Sequence, residues 1–394
     1  MKRIFAFLIA YLINFTWLFA VNTDDFFVLL KNQDYIGAKE LVENFNDGKL
    51  RVSLSTLLDL MSSKNPDQSP VKLDYTDPKE IRFVKRLIAG YQQTYASKQD
   101  NLQAYINFSE ALKLSDELDN PILTKAALIA LLDLFRFEIF IGSKQYIPFL
   151  ERFTELKSDL TDEVLVILYS LIFFSKADDD INSIDSQYYH YFDKLDSIFT
   201  RIPKSHTFYP KYYYEKGIYY KIEGDFEKSE DFFLKADSLA AKNNFLKILR
   251  GDIAWQLAAI NMQNNKLEKS KNYLQIAKGL SKGLRDSFYN DRLTSLIFQK
   301  ENQYDSAYYY LRKSVDVEYE LGYKNNTLES SILTVQNQTD KLKLDKLELD
   351  AQNKKIKIWT LGLGLALLFG SVIGVLTYKN TKRKQLLAEQ GKIL

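Results

Sequence analysis

From Tyr213 to Ala236, small and aromatic residues alternate at a fixed spacing that suits paired helices packed at close range. Tyr213 is followed by Gly217 four residues on and Tyr220 three after that. A turn at Gly224-Asp225 comes next, and Ser229, Phe233 and Ala236 repeat the spacing beyond it. Residues three and four apart share one face of a helix, so each half reads as amphipathic. Small residues let the two helices cross closely, and large ones fill the gaps between hairpins. A second copy runs through Ala254, Ala258, Asn261, a turn at Asn264-Asn265, Ser270, Leu274 and Ala277. A third uses Ser295, Phe298, Tyr304, Ala307, Leu311 and Ser314.

This pattern resembles the tetratricopeptide repeat. The closing residues Ala236, Ala277 and Ser314 are 41 and 37 apart, against a usual period of about 34, so these units have longer helices or longer links. Fainter copies lie upstream. Tyr95, Ala104, Phe108 and Ala111 fit a hairpin over Ile88–Leu118, and Tyr35, Ala38, Val42 and Phe45 fit a second helix. Two degenerate hairpins are expected between Leu123 and Ile202, with turns near Ile141-Gly142-Ser143 and Ala177-Asp178-Asp179-Asp180. Ser62–Asp77, with Pro66 and Pro70, reads as a loop. The resemblance covers about residues 24–320 and is strongest from about 210 to 315. It implies an all-α fold, a tetratricopeptide-like α-α superhelix of helical hairpins. The scarcity of breakers, 15 Gly and 7 Pro in 394 residues, agrees with helix throughout.

Two segments point to a membrane. Met1-Lys2-Arg3 precedes an apolar run from Ile4 to Ala20, the form of a secretory signal, cleaved or kept as a signal anchor. Ile358–Tyr378 is uncharged over 21 residues, which as helix spans roughly 30 Å, the thickness of a bilayer core. Trp359 and Tyr378 stand at its ends, where aromatic rings prefer the interface. The expected layout is a signal at 1–20, an extracytoplasmic body at 21–326, a juxtamembrane helix at 327–357, the span at 358–378 and a basic cytoplasmic tail at 379–394. That places the chain in a bacterial cell membrane as a single-pass protein with a periplasmic body. Gly362, Ala366, Gly370 and Gly374, each four apart, form a small-residue face suited to homodimer packing of the span, unless they reflect only the abundance of glycine in membrane helices.

A helical array of this kind is a binding surface, with the first helices of successive hairpins lining a concave groove. The groove positions in the clear repeats are Tyr214, Ile218, Lys221, Trp255, Ala259, Met262, Arg292 and Gln299. Tyr214 and Trp255 suit an aromatic floor, and Lys221 and Arg292 suit a carboxylate of an extended peptide or protein segment. The competing reading is that these side chains pack between hairpins. The tyrosine clusters around Tyr189 and Tyr213 read as packing.

Other chemistry is poorly provided for. The net charge of +2 lacks the basic excess of a nucleic-acid-binding protein. There is no cysteine, and His190 and His206 are the only histidines. Asp178-Asp179-Asp180 lacks the glycine and terminal Glu of a calcium loop. No catalytic motif, metal site or cofactor is expected, and the chain does not read as an enzyme.

Leu328, Val335, Leu342, Leu349 and Ile356 recur every seven residues, one half of a heptad seam. The other half, Ile332, Thr339, Lys346 and Asn353, is mostly polar, so the stretch is either a weak coiled coil or a spacer helix. Signal, array, long helix, span and basic tail together resemble the N-terminal sensory half of bacterial membrane-bound histidine kinases or helix-turn-helix regulators. This layout implies relay of a binding event; an envelope scaffold without signalling is the alternative.

Overall fold

The structure is a computed structural model and describes residues 22–63, 69–95, 100–136, 143–174, 186–280 and 283–390. The expected signal at 1–20 and the expected turns at 141–142 and 177–180 lie outside the described residues. The chain divides into two compact units, Met1–Glu329 and Ser330–Leu394.

The described residues form α-helices and one 3₁₀ turn, without strands. In the first unit α1 (Thr23–Lys31) pairs with α2 (Tyr35–Glu43), and α3 (Gly48–Ser63) leads into a loop at 69–78. Next come α4 (Lys79–Tyr95) with α5 (Asn101–Glu117), α6 (Pro121–Arg136) with α7 (Ser143–Glu155), and α8 (Leu160–Phe174) with α9 (Ser186–Phe199). Then α10 (Tyr209–Ile222) pairs with α11 (Phe226–Ala240), and α12 (Lys247–Gln263) with α13 (Leu267–Leu280). Last, α14 (Leu284–Lys300) packs on the first turns of α15 (Tyr304–Gln390) through the stacked rings of Phe298 and Tyr310. The expected juxtamembrane helix has no start of its own at Thr327, because α15 already begins at Tyr304.

The clear hairpins share one construction. Each first helix ends on a residue in the left-handed region: Gly224 at φ 78°, Asn265 at 57° and Asn302 at 59°. Glycine and asparagine tolerate that region, and it closes the helix with a backbone bond back across the turn. Those bonds are Asp225 N–H to Tyr220 O, Lys266 N–H to Asn261 O and Gln303 N–H to Phe298 O, at 2.8–2.9 Å. The Asp225 carboxylate then accepts from Lys228 N–H and caps α11.

Between the paired helices one serine hydroxyl bridges each crossing. Ser229 donates to Gly217 O, Ser270 to Ala258 O and Ser295 to Ala307 O, each at 2.7 Å and each across 12 residues. At the same level a Cβ on Gly217 would stand 2.5 Å from the Phe233 ring, which is fully buried. Gly90 meets Phe108 in the same way. The tyrosine clusters serve packing, as expected: Tyr188 is fully buried, and Tyr219 stacks on Phe192 at 4.2 Å.

The first hairpin also meets distant parts of its unit. Tyr35 stacks on Phe245 at 3.9 Å and 5°. Thr207 donates to Asn32 O, and Lys31 reaches Asp159 and Asp162. In an open solenoid each repeat touches only its neighbours; here the winding brings the beginning of the array against its middle.

In the second unit α15 is exposed along its apolar stretch, including Ile358, Leu367 and Phe369. Among the described residues one helical segment, within Leu344–Gln385, is long and apolar enough to cross a membrane, and its apolar stretch is not buried. Leu349 and Ile356 of the expected seam are exposed.

The hairpin crossing yields a direct test. Gly217→Val forces a side chain into the Phe233 ring and should cost about 2 kcal/mol. Gly279→Ala, in open space on α13, should add about 0.5–1 kcal/mol. Urea midpoints of the two variants should therefore move in opposite directions; an unshifted Gly217→Val would remove the proposed close crossing.

Candidate peptide-binding groove

Three first helices, α10, α12 and α14, carry the groove positions read from the sequence. Their side chains have separate fates. Lys221, near the end of α10, places its ammonium 5.5 Å from the centre of the Trp255 ring on α12. It also donates to Gln256 Oε1 at 2.8 Å. Among the described residues no carboxylate lies within ion-pairing reach of Lys221. Burial withdraws water from the ammonium and lowers its pKa to about 8.

Trp255 extends the line to the next hairpin. Its indole N–H donates to Tyr289 O at 3.2 Å, and the two rings meet edge-on at 5.4 Å. The Arg285 guanidinium lies 5.8 Å from the Tyr289 ring and faces Asp252 at 3.8 Å. A cation, an indole, a phenol ring and a second cation thus follow one another across three hairpins. A cation over an aromatic face is held by the ring's negative quadrupole, and a partly desolvated one is held more firmly. The arrangement sets two half-buried aromatic rings between the Lys221 ammonium at one end and the Arg285–Asp252 pair at the other.

The other expected positions are placed differently. Tyr214 and Ile218 pack against the cluster built on Phe233, Ile253 and Leu257. The Tyr214 ring lies 5.6 Å from that of Phe233, and it borders a cavity of about 20 Å³ with Tyr169, Glu215 and Leu249. Ala259 and Met262 are buried with Leu274, Leu293 and Ile297, and the half-buried Trp255 packs against the same cluster. Arg292 and Gln299 are exposed on α14. The structure therefore brings together Lys221 and Trp255, turns Tyr214, Ile218, Ala259 and Met262 into packing, and leaves Arg292 and Gln299 at the surface.

Gln256, Arg285 and Tyr289 were not among the expected residues. Tyr289 was legible in principle. It stands six residues before Ser295, as Asp252 stands before Ala258 and Lys211 before Gly217. That shared register marks equivalent positions in the three first helices.

Of the span face, Gly362, Gly370 and Gly374 have open space where a side chain would stand. Ala366 is exposed beside them on α15.

No protein-family model and no curated protein matches the chain. Among solved structures the chain is similar to the crystal structure of the yeast Tom70, at 14% identity over 79% of this chain and 81% of that one, with a TM-score of 0.34. At that score the likeness adds nothing to what the hairpins themselves show.

Lys221 beside an indole can be followed optically. With Trp17 and Trp359 replaced by Phe, Trp255 is the sole indole. Its emission should titrate with a midpoint near pH 8, as the ammonium loses its proton. In Lys221→Met the transition should vanish; its persistence would assign the titration to another group.

Proposed function

We propose that the chain is a membrane-anchored interaction module whose groove holds an extended peptide or protein segment with a carboxylate seated at Lys221. The observation that carries this reading is the line of Lys221, Trp255 and Tyr289 across three first helices. Trp255 supplies apolar area with little side-chain entropy to lose on binding. Lys221 supplies a half-buried cation whose hydrogen-bond acceptor among the described residues is neutral, Gln256. A carboxylate entering there gains a charge-assisted hydrogen bond in a poorly solvated place. Arg285, already facing Asp252, sets the far end of the strip, and exposed Arg292 adds positive charge on the same helix.

The apolar stretch 358–378 is the membrane span in this reading. The body lies outside the cytoplasm and the tail after Tyr378 inside. Two copies pair through Gly362, Ala366, Gly370 and Gly374. Binding in the groove is passed on across the membrane, which is the sensory form of the reading. The alternative remains an envelope scaffold that captures partners without relay.

The groove is tested by panning a random peptide library on the full chain. Selected peptides should be rich in Asp, Glu or a free C-terminal carboxylate. Lys221→Met should weaken a selected peptide by about tenfold, the loss of one charge-assisted bond. Affinity should also fall as pH rises through about 8, because the free ammonium deprotonates there. Peptides that bind Lys221→Met as tightly as the parent would overturn the placement.

The topology is tested with single cysteines, since the chain has none of its own. In whole cells an impermeant maleimide should label Ser330→Cys and spare Thr381→Cys, and oxidation should join Gly374→Cys into a covalent dimer. Labelling of Thr381→Cys alone would invert the orientation, and a monomeric Gly374→Cys would remove the pairing.

A further inference from the structure

A second cavity in the first unit lies away from the groove, where α1, α3, α4 and α6 meet. It holds about 160 Å³ and is partly open to solvent. Apolar side chains make most of its wall, among them Phe27, Leu57, Leu87, Ile122 and Ile129. An apolar chain that enters it exchanges water for aliphatic and aromatic contact.

One part of the wall is charged. Lys31, Lys125, Ser158 and Asp159 line it, and all four are tied to Asp162. The Asp162 side chain is fully buried. Its Oδ1 accepts from Lys31 at 2.7 Å, and its Oδ2 accepts from Lys125 at 2.6 Å and from Ser158 N–H at 2.9 Å. Burial alone would raise its pKa, but the bonds from Lys125, Lys31 and Ser158 hold it at about 2. Asp162 is therefore a fixed anion with its acceptors in use.

The two ammoniums are not equally committed. Lys125 gives one further proton to Ser158 Oγ at 2.7 Å. Lys31 gives one to Asp159 at 2.5 Å, and the Asp159 side chain is half exposed. Each ammonium carries three N–H donors, and these bonds use two on each. Asp159, at the solvent edge, is the exchangeable member. If it turns outward, two buried cations face the cavity against one buried anion. With Asp159 in place the two ammoniums are balanced; with Asp159 turned outward one negative charge is wanting beside the apolar chamber.

We propose that this chamber binds a medium-chain aliphatic carboxylate, its chain lying against Phe27, Leu57, Leu87 and Ile122 and its carboxylate taking the place of Asp159 on Lys31, within reach of the unused N–H of Lys125. The apolar wall selects the chain and the residual charge selects the head. An aliphatic amine of equal length meets the same wall but brings a third cation to the cluster. A neutral alcohol leaves the charge deficit unfilled. The site is separate from the groove and does not depend on the peptide reading.

The test uses the full chain in lipid nanodiscs and decanoic acid carrying a photoactivatable diazirine at its far end. After irradiation, mass spectrometry of the peptides should place adducts on α3, α4 or α6. Adducts on the apolar stretch of α15 report bulk lipid and serve as the internal reference. Ala126→Phe, which fills the cavity without touching the charged cluster, should abolish the α3, α4 and α6 adducts and keep the reference. Asp159→Asn keeps an acceptor for the Asp162 N–H but removes the competing charge, and should raise carboxylate labelling several-fold over that by the matching decylamine probe. Adducts confined to α15, cavity adducts unchanged in Ala126→Phe, or no preference of Asp159→Asn for the carboxylate would each overturn the proposal.

Discussion

Everything in the first unit depends on how closely the two helices of a hairpin approach. At the crossing of α10 and α11 a glycine faces a buried phenylalanine, and a serine hydroxyl reaches the opposite backbone at 2.7 Å. The same bridge recurs at α12–α13 and α14–α15 with the same 12-residue separation. A polar bond inside an apolar crossing fixes register, because any slip would leave a buried hydroxyl and its carbonyl partner poorly placed. Fixed register makes the left-handed turn residue fall at the same place each time. It also sets which side of each first helix is turned away from its partner helix.

That local logic is why the fold was largely legible from the chain. Gly217, Phe233 and Ser229 lie within one hairpin, and their spacing is set by helix geometry alone. Gln33, at φ 57° before α2, shows that even the faint first unit keeps the turn. The groove was less legible. Lys221 and Trp255 were named and do meet. Tyr214 and Met262 were named and are drawn into packing, because their fate depends on the angle between hairpins, which spacing does not specify. Arg285 sits in the first turn of α14, where the repeat pattern carries no marker.

Contacts across long stretches of chain were beyond the sequence altogether. Lys31 and Asp162 are 131 residues apart, and nothing in either neighbourhood marks the other. Asp162 reads as an ordinary acidic residue in the first turn of α8, where a carboxylate is favoured by the helix dipole. Only the winding of the array gives it two lysines. The apolar chamber beside it has the same origin, since its wall is contributed by helices that are each amphipathic in an ordinary way.

The stacking of Tyr35 on Phe245 has a consequence for the order of assembly. Most repeats can form as soon as their own few dozen residues exist, since their contacts are near in sequence. The first hairpin cannot reach its final surroundings in that way. Its aromatic partner is made some two hundred residues later, and long closures of this kind are slow to form. The first hairpin of the array is thus among the last to settle. Until then Phe26, Phe27 and Tyr35 form an apolar surface without its final cover, and a chaperone that recognises this array would find its binding site at the beginning of the chain rather than along the repeats.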